Sequence, residues 1–325
     1  MTEAAVKNQE IMNHLGKERI PFFFLIDFEL KKPLIQRLDE IDPEELLYDF
    51  NGIKNYSSHS NTEKPLLFNI REFPKEKYLQ AFQKVQENIR YGNSFLLNLT
   101  FPSRIETNYS LNEIFFYSKA KYKIWFRETF VSFSPEIFVK IENGIIRSFP
   151  MKGTIDASLP QAKEKLLSNI KETAEHATIV DLIRNDLSRV ASQVEVKRFR
   201  YIDNLKTHKN EILQMSSEIS GVLSQTYFSE LGNIIFGILP AGSVSGAPKD
   251  KTLEITHSAE CADRGYYTGI AGIFDGTNLD SAVLIRFIEK NPDGMFYRSG
   301  GGITAKSNPD DEYLELIQKI YVPVA

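Results

Sequence analysis

Apolar and polar residues along this chain follow two rhythms. Residues 20–30, "IPFFFLIDFEL", are aromatic and β-branched and predict a buried strand. Residues 38–65 are polar and turn-rich and predict an irregular surface segment. Residues 75–93, "KEKYLQAFQKVQENIRYGN", place apolar side chains at helical spacing and end on a glycine, which predicts a helix. "FLLNLTFPSRI" and "IWFRETFVSFS" then read as one strand each. Residues 161–190 carry one long amphipathic helical pattern. "YYTGIAGIF" and "LDSAVLIRFIE" read as neighbouring strands around the hairpin turn "DGTN". "MFYRSGGGITAKS" predicts a strand running into a glycine turn, and "DDEYLELIQKIYV" a closing helix. Strands and helices alternate irregularly, and at least one hairpin is antiparallel. That favours an α+β architecture over a parallel doubly wound one.

Composition narrows the class. The chain has 325 residues, 42% hydrophobic, with 23 Phe and 14 Tyr, which suits a large aromatic core in one or two domains. A net charge of −4 gives no broad nucleic-acid footprint. One cysteine, Cys261, forms no internal disulfide and fits a reducing compartment. The first 20 residues lack a signal peptide's apolar centre, and no apolar run approaches a membrane span. The expectation is a cytoplasmic protein.

Several constellations could carry chemistry. Glu172 and Glu175, and again Glu312 and Glu315, are spaced i, i+3, so each pair projects from one helix face. Two such faces could hold a hard divalent cation such as magnesium, or be solvated surface. "GSVSGAPK" (242–249) offers turn amides to an anion or is an ordinary turn, and its glycine spacing is too short for a Walker loop. The three glycines of "SGGGIT" (299–304) permit close approach of a ligand or a flexible turn. Arg286 stands inside an apolar strand and needs a carboxylate, from a ligand or from the protein. Glu136, in "SPE", sits at a strand-to-turn junction. Asp181, Arg184, Asn185 and Asp186 read as a buried structural network, and the five histidines show no ligand spacing. Lys152, in "PMKGT", could be a turn residue, a phosphate ligand or a buried nucleophile.

The order of these motifs resembles the chorismate-binding enzymes. "NSFLLNLT", "FSPEIF", "PMKGT", "AEHATIVDLIRNDLSRV", "GSVSGAPK", "RGYYTGIAGIF", "AVLIRF" and "GGGITAKSNPDDEYLELIQK" carry the resemblance over residues 75–320. It implies an anthranilate/aminodeoxychorismate synthase-like α+β fold: two large, mostly antiparallel sheets packed face to face with helices outside. Residues 1–70 would be a short N-terminal segment adding strands to the main body, and 71–325 the chorismate-binding catalytic domain. The resemblance implies magnesium held by Glu175 and Glu315, with Glu172 and Glu312 beside them. It assigns Glu136 as the acid for the departing C4 hydroxyl. Tyr267 and Arg286 would hold a substrate carboxylate, with Gly153, Thr154, Ser243, Gly300 and Gly302 as further substrate contacts.

Lys152 separates the activities within that family. Anthranilate synthases carry alanine in the corresponding P-I-A-G-T motif, and aminodeoxychorismate synthases often carry lysine. The resemblance therefore implies a Lys152 nucleophile, which must be neutral and so should have a lowered pKa. Leu96 replaces the lysine that activates water in isochorismate and salicylate synthases, which argues against those reactions. Gln214 stands where anthranilate synthases have histidine. The implied partners are chorismate, ammonia and a separate glutamine amidotransferase subunit, because Cys261 lacks the glycine-flanked elbow of a glutaminase. Anthranilate synthase component I and a non-catalytic chorismate-binding subunit are the alternatives.

Overall fold

The computed structural model describes residues 1–57, 64–206, 211–260 and 262–323. His59, His208 and Cys261 lie outside the described residues. The described strands form two nine-stranded sheets. The first runs in the order Met151–Asp156, Glu211–Val222, Ile145–Ser148, Ile137–Glu142, Leu279–Val283, Ile270–Phe274, Phe22–Ile26 and Leu34–Arg37, with Ser192–Lys206 also paired to Glu211–Val222. The second runs Gly246–Ala247, Leu96–Thr107, Gly294–Thr304, Phe287–Asn291, Phe130–Ser134, Tyr122–Phe126, Leu46–Phe50 and Ile53–Lys54, with Phe68–Arg71 also on Leu96–Thr107. The pairings are antiparallel, as expected for an α+β chain.

The sheets pack face to face. Phe23, Leu25, Ala271 and Ala282 of the first meet Tyr48, Phe50, Tyr122, Phe130 and Phe287 of the second in one buried cluster. Phe22, Phe24 and Ile26 point the other way, under helices Glu3–Lys17, Ile170–Ser188 and Leu231–Gly237. All five residues of Phe22–Ile26 are buried, which explains their unbroken apolar pattern. Helices Lys75–Arg90, Lys249–Glu260 and Pro309–Gln318 cover the outer face of the second sheet. Strands from residues 22–71 enter both sheets.

Five sequence expectations are corrected. The segment 38–65 contains a buried strand, Leu46–Phe50, whose Tyr48 and Asp49 disguise its pattern. "IWFRETFVSFS" is a hairpin, Tyr122–Phe126 and Phe130–Ser134, turning where Glu128 has φ +51°. The long helical pattern splits into Ala162–Ser168 and Ile170–Ser188, because the Asn169 side chain accepts from the Glu172 amide and starts a new helix. The glycines of "SGGGIT" lie inside a strand, Gly294–Thr304, rather than in a turn. "LDSAVLIRFIE" breaks into Leu279–Val283 and Phe287–Asn291, which belong to different sheets.

Candidate active site

The strand Met151–Asp156 is irregular where it matters. Its register against Glu211–Val222 shifts between Met151 and Thr154, and Gly153 takes φ +79°. Such a bulge re-aims a side chain. Here Lys152 enters a cavity of about 150 Å³ between the sheets. Leu96, Asn98, Arg298, Gly300 and Gly302 wall it from the second sheet, Met151 and Lys152 from the first, and Glu136 from the connection between Phe130–Ser134 and Ile137–Glu142. Tyr267, Ser243, Arg286 and Lys319 complete the polar lining.

Lys152 Nζ lies 2.7 Å from Glu175 Oε2, and Glu175 is only 4% exposed. Burial pushes the amine toward neutrality, but the carboxylates of Glu175, Glu315 and Glu172 outweigh it and hold the pKa above the ordinary lysine value. The lowered pKa expected from the sequence is therefore not found: in this arrangement Lys152 is an ammonium.

The acid pairs reach the site from two capped helices. Asn169 starts the helix bearing Glu172 and Glu175. Asn308 accepts from the Asp310 and Asp311 amides at the start of the helix bearing Glu312 and Glu315. A Cβ on Gly153 would stand 3.1 Å from Glu172 Oε2, and one on Gly301 would stand 3.5 Å from Glu312 Oε2 and 3.7 Å from Glu315 Oε1. Lys319 binds Glu315 at 2.6 Å and donates to the Gly300 carbonyl at 2.8 Å. Four carboxylates are donor chemistry suited to a hard divalent cation. Among the described residues, however, no three acidic, imidazole or thiol side chains are gathered into a metal-binding group. Lys152 is paired with Glu175, and Lys319 with Glu315.

Glu136 is the carboxylate on the cavity wall. Burial raises its pKa, while the Ser243 hydroxyl, which donates to Oε1, and the cations Arg286, Lys319 and Lys152 pull it back only in part. Its position and raised pKa suit a general acid. Arg286 sits where the chain leaves the first sheet for the second, with φ +54°, and its Nε donates to the Tyr321 hydroxyl at 3.2 Å. The arginine thus lies at a crossover between sheets, not inside one strand. Tyr267 is buried, which pushes its hydroxyl up to about 12.

The sequence matches the profile of the chorismate binding enzyme family over residues 8–325. The chain is a member of the chorismate binding enzymes. It is 52% identical to an "Uncharacterized PabA-like protein" of Haemophilus influenzae, over 97% of this chain and 96% of that one. It is 32% identical to a "Probable aminodeoxychorismate synthase, chloroplastic" of Oryza sativa subsp. japonica, over 88% of this chain and 34% of that one. Anthranilate synthase component I from Streptococcus pneumoniae superposes with a TM-score of 0.66 at 27% identity, covering 79% of this chain and 59% of that one.

For this chorismate binding enzyme, the expected site residues divide into three groups. Lys152, Glu136, Ser243, Tyr267, Arg286, Gly300 and Gly302 line one cavity. The four acids stand behind that wall, and Gly153 lies against Glu172 and Leu166 rather than on it. The Thr154 side chain lies outside the described residues. Asp186 is buried against Lys249 at 2.7 Å, but Asp181 and Arg184 form an exposed pair, so the expected buried network reduces to one ion pair. His176 is buried against Ser217, 2.7 Å away, and burial lowers its pKa to about 4.

Sequence reasoning missed Lys319, Arg298 and Asn98. Two of them left a signal. Lys319 follows Glu315 at i+4. Arg298 precedes Gly300 and Gly302 at the two-residue strand period, which places all three on one face.

Proposed function

We propose that this chain is component I of an aminodeoxychorismate synthase, converting chorismate and ammonia to 4-amino-4-deoxychorismate for para-aminobenzoate and folate synthesis. The observation that carries the reading is Lys152, an amine at the wall of a cavity it shares with a carboxylic acid, Glu136. Arg286, Arg298 and Lys319 offer that cavity N–H donors for a dicarboxylate, although Arg298 and Lys319 are also ion-paired with Glu289 and Glu315.

Lys152 Nζ, once neutral, adds to ring C2. The ring double bonds shift, and the C4 hydroxyl leaves as water with a proton from Glu136. Ammonia then adds at C4, the double bonds return, and the C2–Nζ bond breaks. The protons lost by the lysine nitrogen and by the incoming ammonia balance those taken by the departing hydroxyl and the departing lysine. Glu175, Glu315, Glu172 and Glu312 would hold Mg2+. The ion would supply charge that neutralises the substrate carboxylate and competes with Lys152 for Glu175. A separate glutamine amidotransferase subunit in the cytoplasm would supply ammonia.

The test is product analysis after incubation with chorismate, Mg2+ and an ammonium salt. Aminodeoxychorismate is expected, without anthranilate fluorescence. Anthranilate as the main product would replace this reading with anthranilate synthase component I. Chorismate binding with no turnover over hours would indicate a non-catalytic subunit.

A further inference from the structure

The glycine strand has a charged end. Arg298 precedes Gly300 and Gly302 on one face of Gly294–Thr304 and lines the reaction cavity with them. A Cβ on Gly302 would stand 3.9 Å from Lys152 Nζ. At about 3.4 Å per residue, Arg298 starts about 13 Å along the strand from that point. The cavity therefore has the Lys152 amine at one end and a guanidinium at the other.

Two further polar groups gather at the guanidinium end. Arg298 pairs across the ladder with Phe287, so both side chains take the same face. The Phe287 ring packs on Tyr267, with centroids 5.8 Å apart. Arg286 is the residue before Phe287 and lines the cavity too. Burial raises the Tyr267 pKa, and the cations Arg264, Arg286 and Arg298 pull against it.

Both cavity arginines are held by one edge. Arg298 Nε donates to Glu289 Oε1 at 2.8 Å, with side chains 13% and 22% exposed. Arg286 Nε donates to the Tyr321 hydroxyl, and its Cζ lies 5.1 Å from the centre of that ring. Among the described residues, no other hydrogen bond or ion pair engages either guanidinium. Each keeps its two Nη nitrogens for a ligand. Charge is matched as well. Glu175 offsets Lys152, Glu315 offsets Lys319 and Glu289 offsets Arg298. Of the cations on the cavity wall, only Arg286 has no carboxylate partner among the described residues. Two forks with one uncancelled charge suit a single carboxylate.

We propose that Arg298 is a specificity-determining substrate contact, which with Arg286 clamps the enolpyruvyl carboxylate of chorismate from two sides. This rests on the chorismate reading above. There, Mg2+ at the acid end meets the ring carboxylate, and Lys152 adds at C2. The carboxylate left for the arginine end is the one on the enolpyruvyl group at C3. A fork already tethered through Nε loses little freedom when it binds. A site built to hydrogen-bond a carboxylate rejects a ligand that lacks it.

Calorimetry with two ligands, in the presence of Mg2+, tests this. One ligand is chorismate. The other is the dihydroxycyclohexadiene carboxylate that shares its ring but has a hydroxyl in place of the enolpyruvyl group. Arg298→Met keeps the length of the side chain and removes its N–H groups. It should weaken chorismate binding by about 10–100-fold and leave the second ligand within about twofold of wild type. In turnover the loss should fall on KM, with kcat within about twofold. Arg298→Lys should recover part of the chorismate affinity. Arg298→Met combined with Glu289→Met leaves no carboxylate unpaired, and should show the same contrast between ligands. Unchanged chorismate affinity in Arg298→Met overturns the contact. Equal weakening of both ligands overturns it too, because a residue that only shapes the cavity would act on both. If wild-type protein binds chorismate but forms no aminodeoxychorismate, the amination reading falls and the ligand contrast still decides the role of Arg298. If wild type binds no chorismate, both fall.

Discussion

At the residue scale, the decisive conflict is between Lys152 as ammonium and Lys152 as nucleophile. Burial favours the neutral amine, and three carboxylates oppose it. Lys152→Ala keeps the acids and Glu136 but removes the only atom proposed to add at C2. Amination at C4 should be lost, measured as aminodeoxychorismate formed per minute. Mass spectrometry of wild-type protein given chorismate and Mg2+ without ammonia should find an adduct on Lys152, and the variant should carry none. An unaltered rate in Lys152→Ala would remove the covalent step. Glu136 makes a separate prediction about pH. Its pKa is raised, chiefly by burial, so the acid form persists to higher pH than for an ordinary glutamate. The rate, corrected for the fraction of free ammonia, should fall as pH rises through that pKa, because the carboxylate has no proton to give. Glu136→Gln should lose this limb and lower kcat by about 10²–10⁴-fold.

At the element scale, the glycine strand makes a contrast that distinguishes close packing from mere flexibility. A Cβ on Gly300 would stand 2.5 Å from Thr100 Cγ2 and 2.6 Å from the Leu99 carbonyl, inside the neighbouring strand. A Cβ on Gly301 meets nothing nearer than 3.5 Å. Gly300→Ala should therefore lower stability by about 1–3 kcal/mol, as overpacking does. Gly301→Ala should leave the thermal midpoint near that of wild type, and both are read by thermal melts. These elements also show what the sequence could convey. The strand Phe22–Ile26 and the helix Lys75–Arg90 were legible because each has one uninterrupted environment. The acid pairs were legible because i, i+3 spacing survives in any helix. The breaks were not. Asn169 ends one helix and starts another through a single side-chain hydrogen bond, inside a pattern that stays amphipathic throughout. Arg286 marks a change of sheet within an apolar run, because both sheets bury that run equally. Lys319 was missed because its role depends on the Gly300 carbonyl, 19 residues away in sequence.

At the scale of the whole molecule, the site exists only while the two sheets hold their spacing, since its walls come from both. The N-terminal residues are part of that arrangement. Phe22–Ile26 lies between Ile270–Phe274 and Leu34–Arg37 in the first sheet, and Leu46–Phe50 lies between Tyr122–Phe126 and Ile53–Lys54 in the second. Neither sheet can lose its N-terminal strand without exposing an apolar edge. Unfolding should therefore be cooperative across both sheets. The chain's one tryptophan, Trp125, is buried in the second sheet and reports on it alone, whereas far-UV circular dichroism reports on both sheets and the helices. The two signals should give the same urea midpoint. Phe23 is fully buried between the sheets, stacked on Tyr48 with centroids 5.6 Å apart and edge-on to Phe50 at 6.3 Å. Phe23→Ala should cost about 3–5 kcal/mol and move both midpoints together. Midpoints that separate, in wild type or in the variant, would mean that the sheets unfold independently and that the cavity between them is not held by their common core.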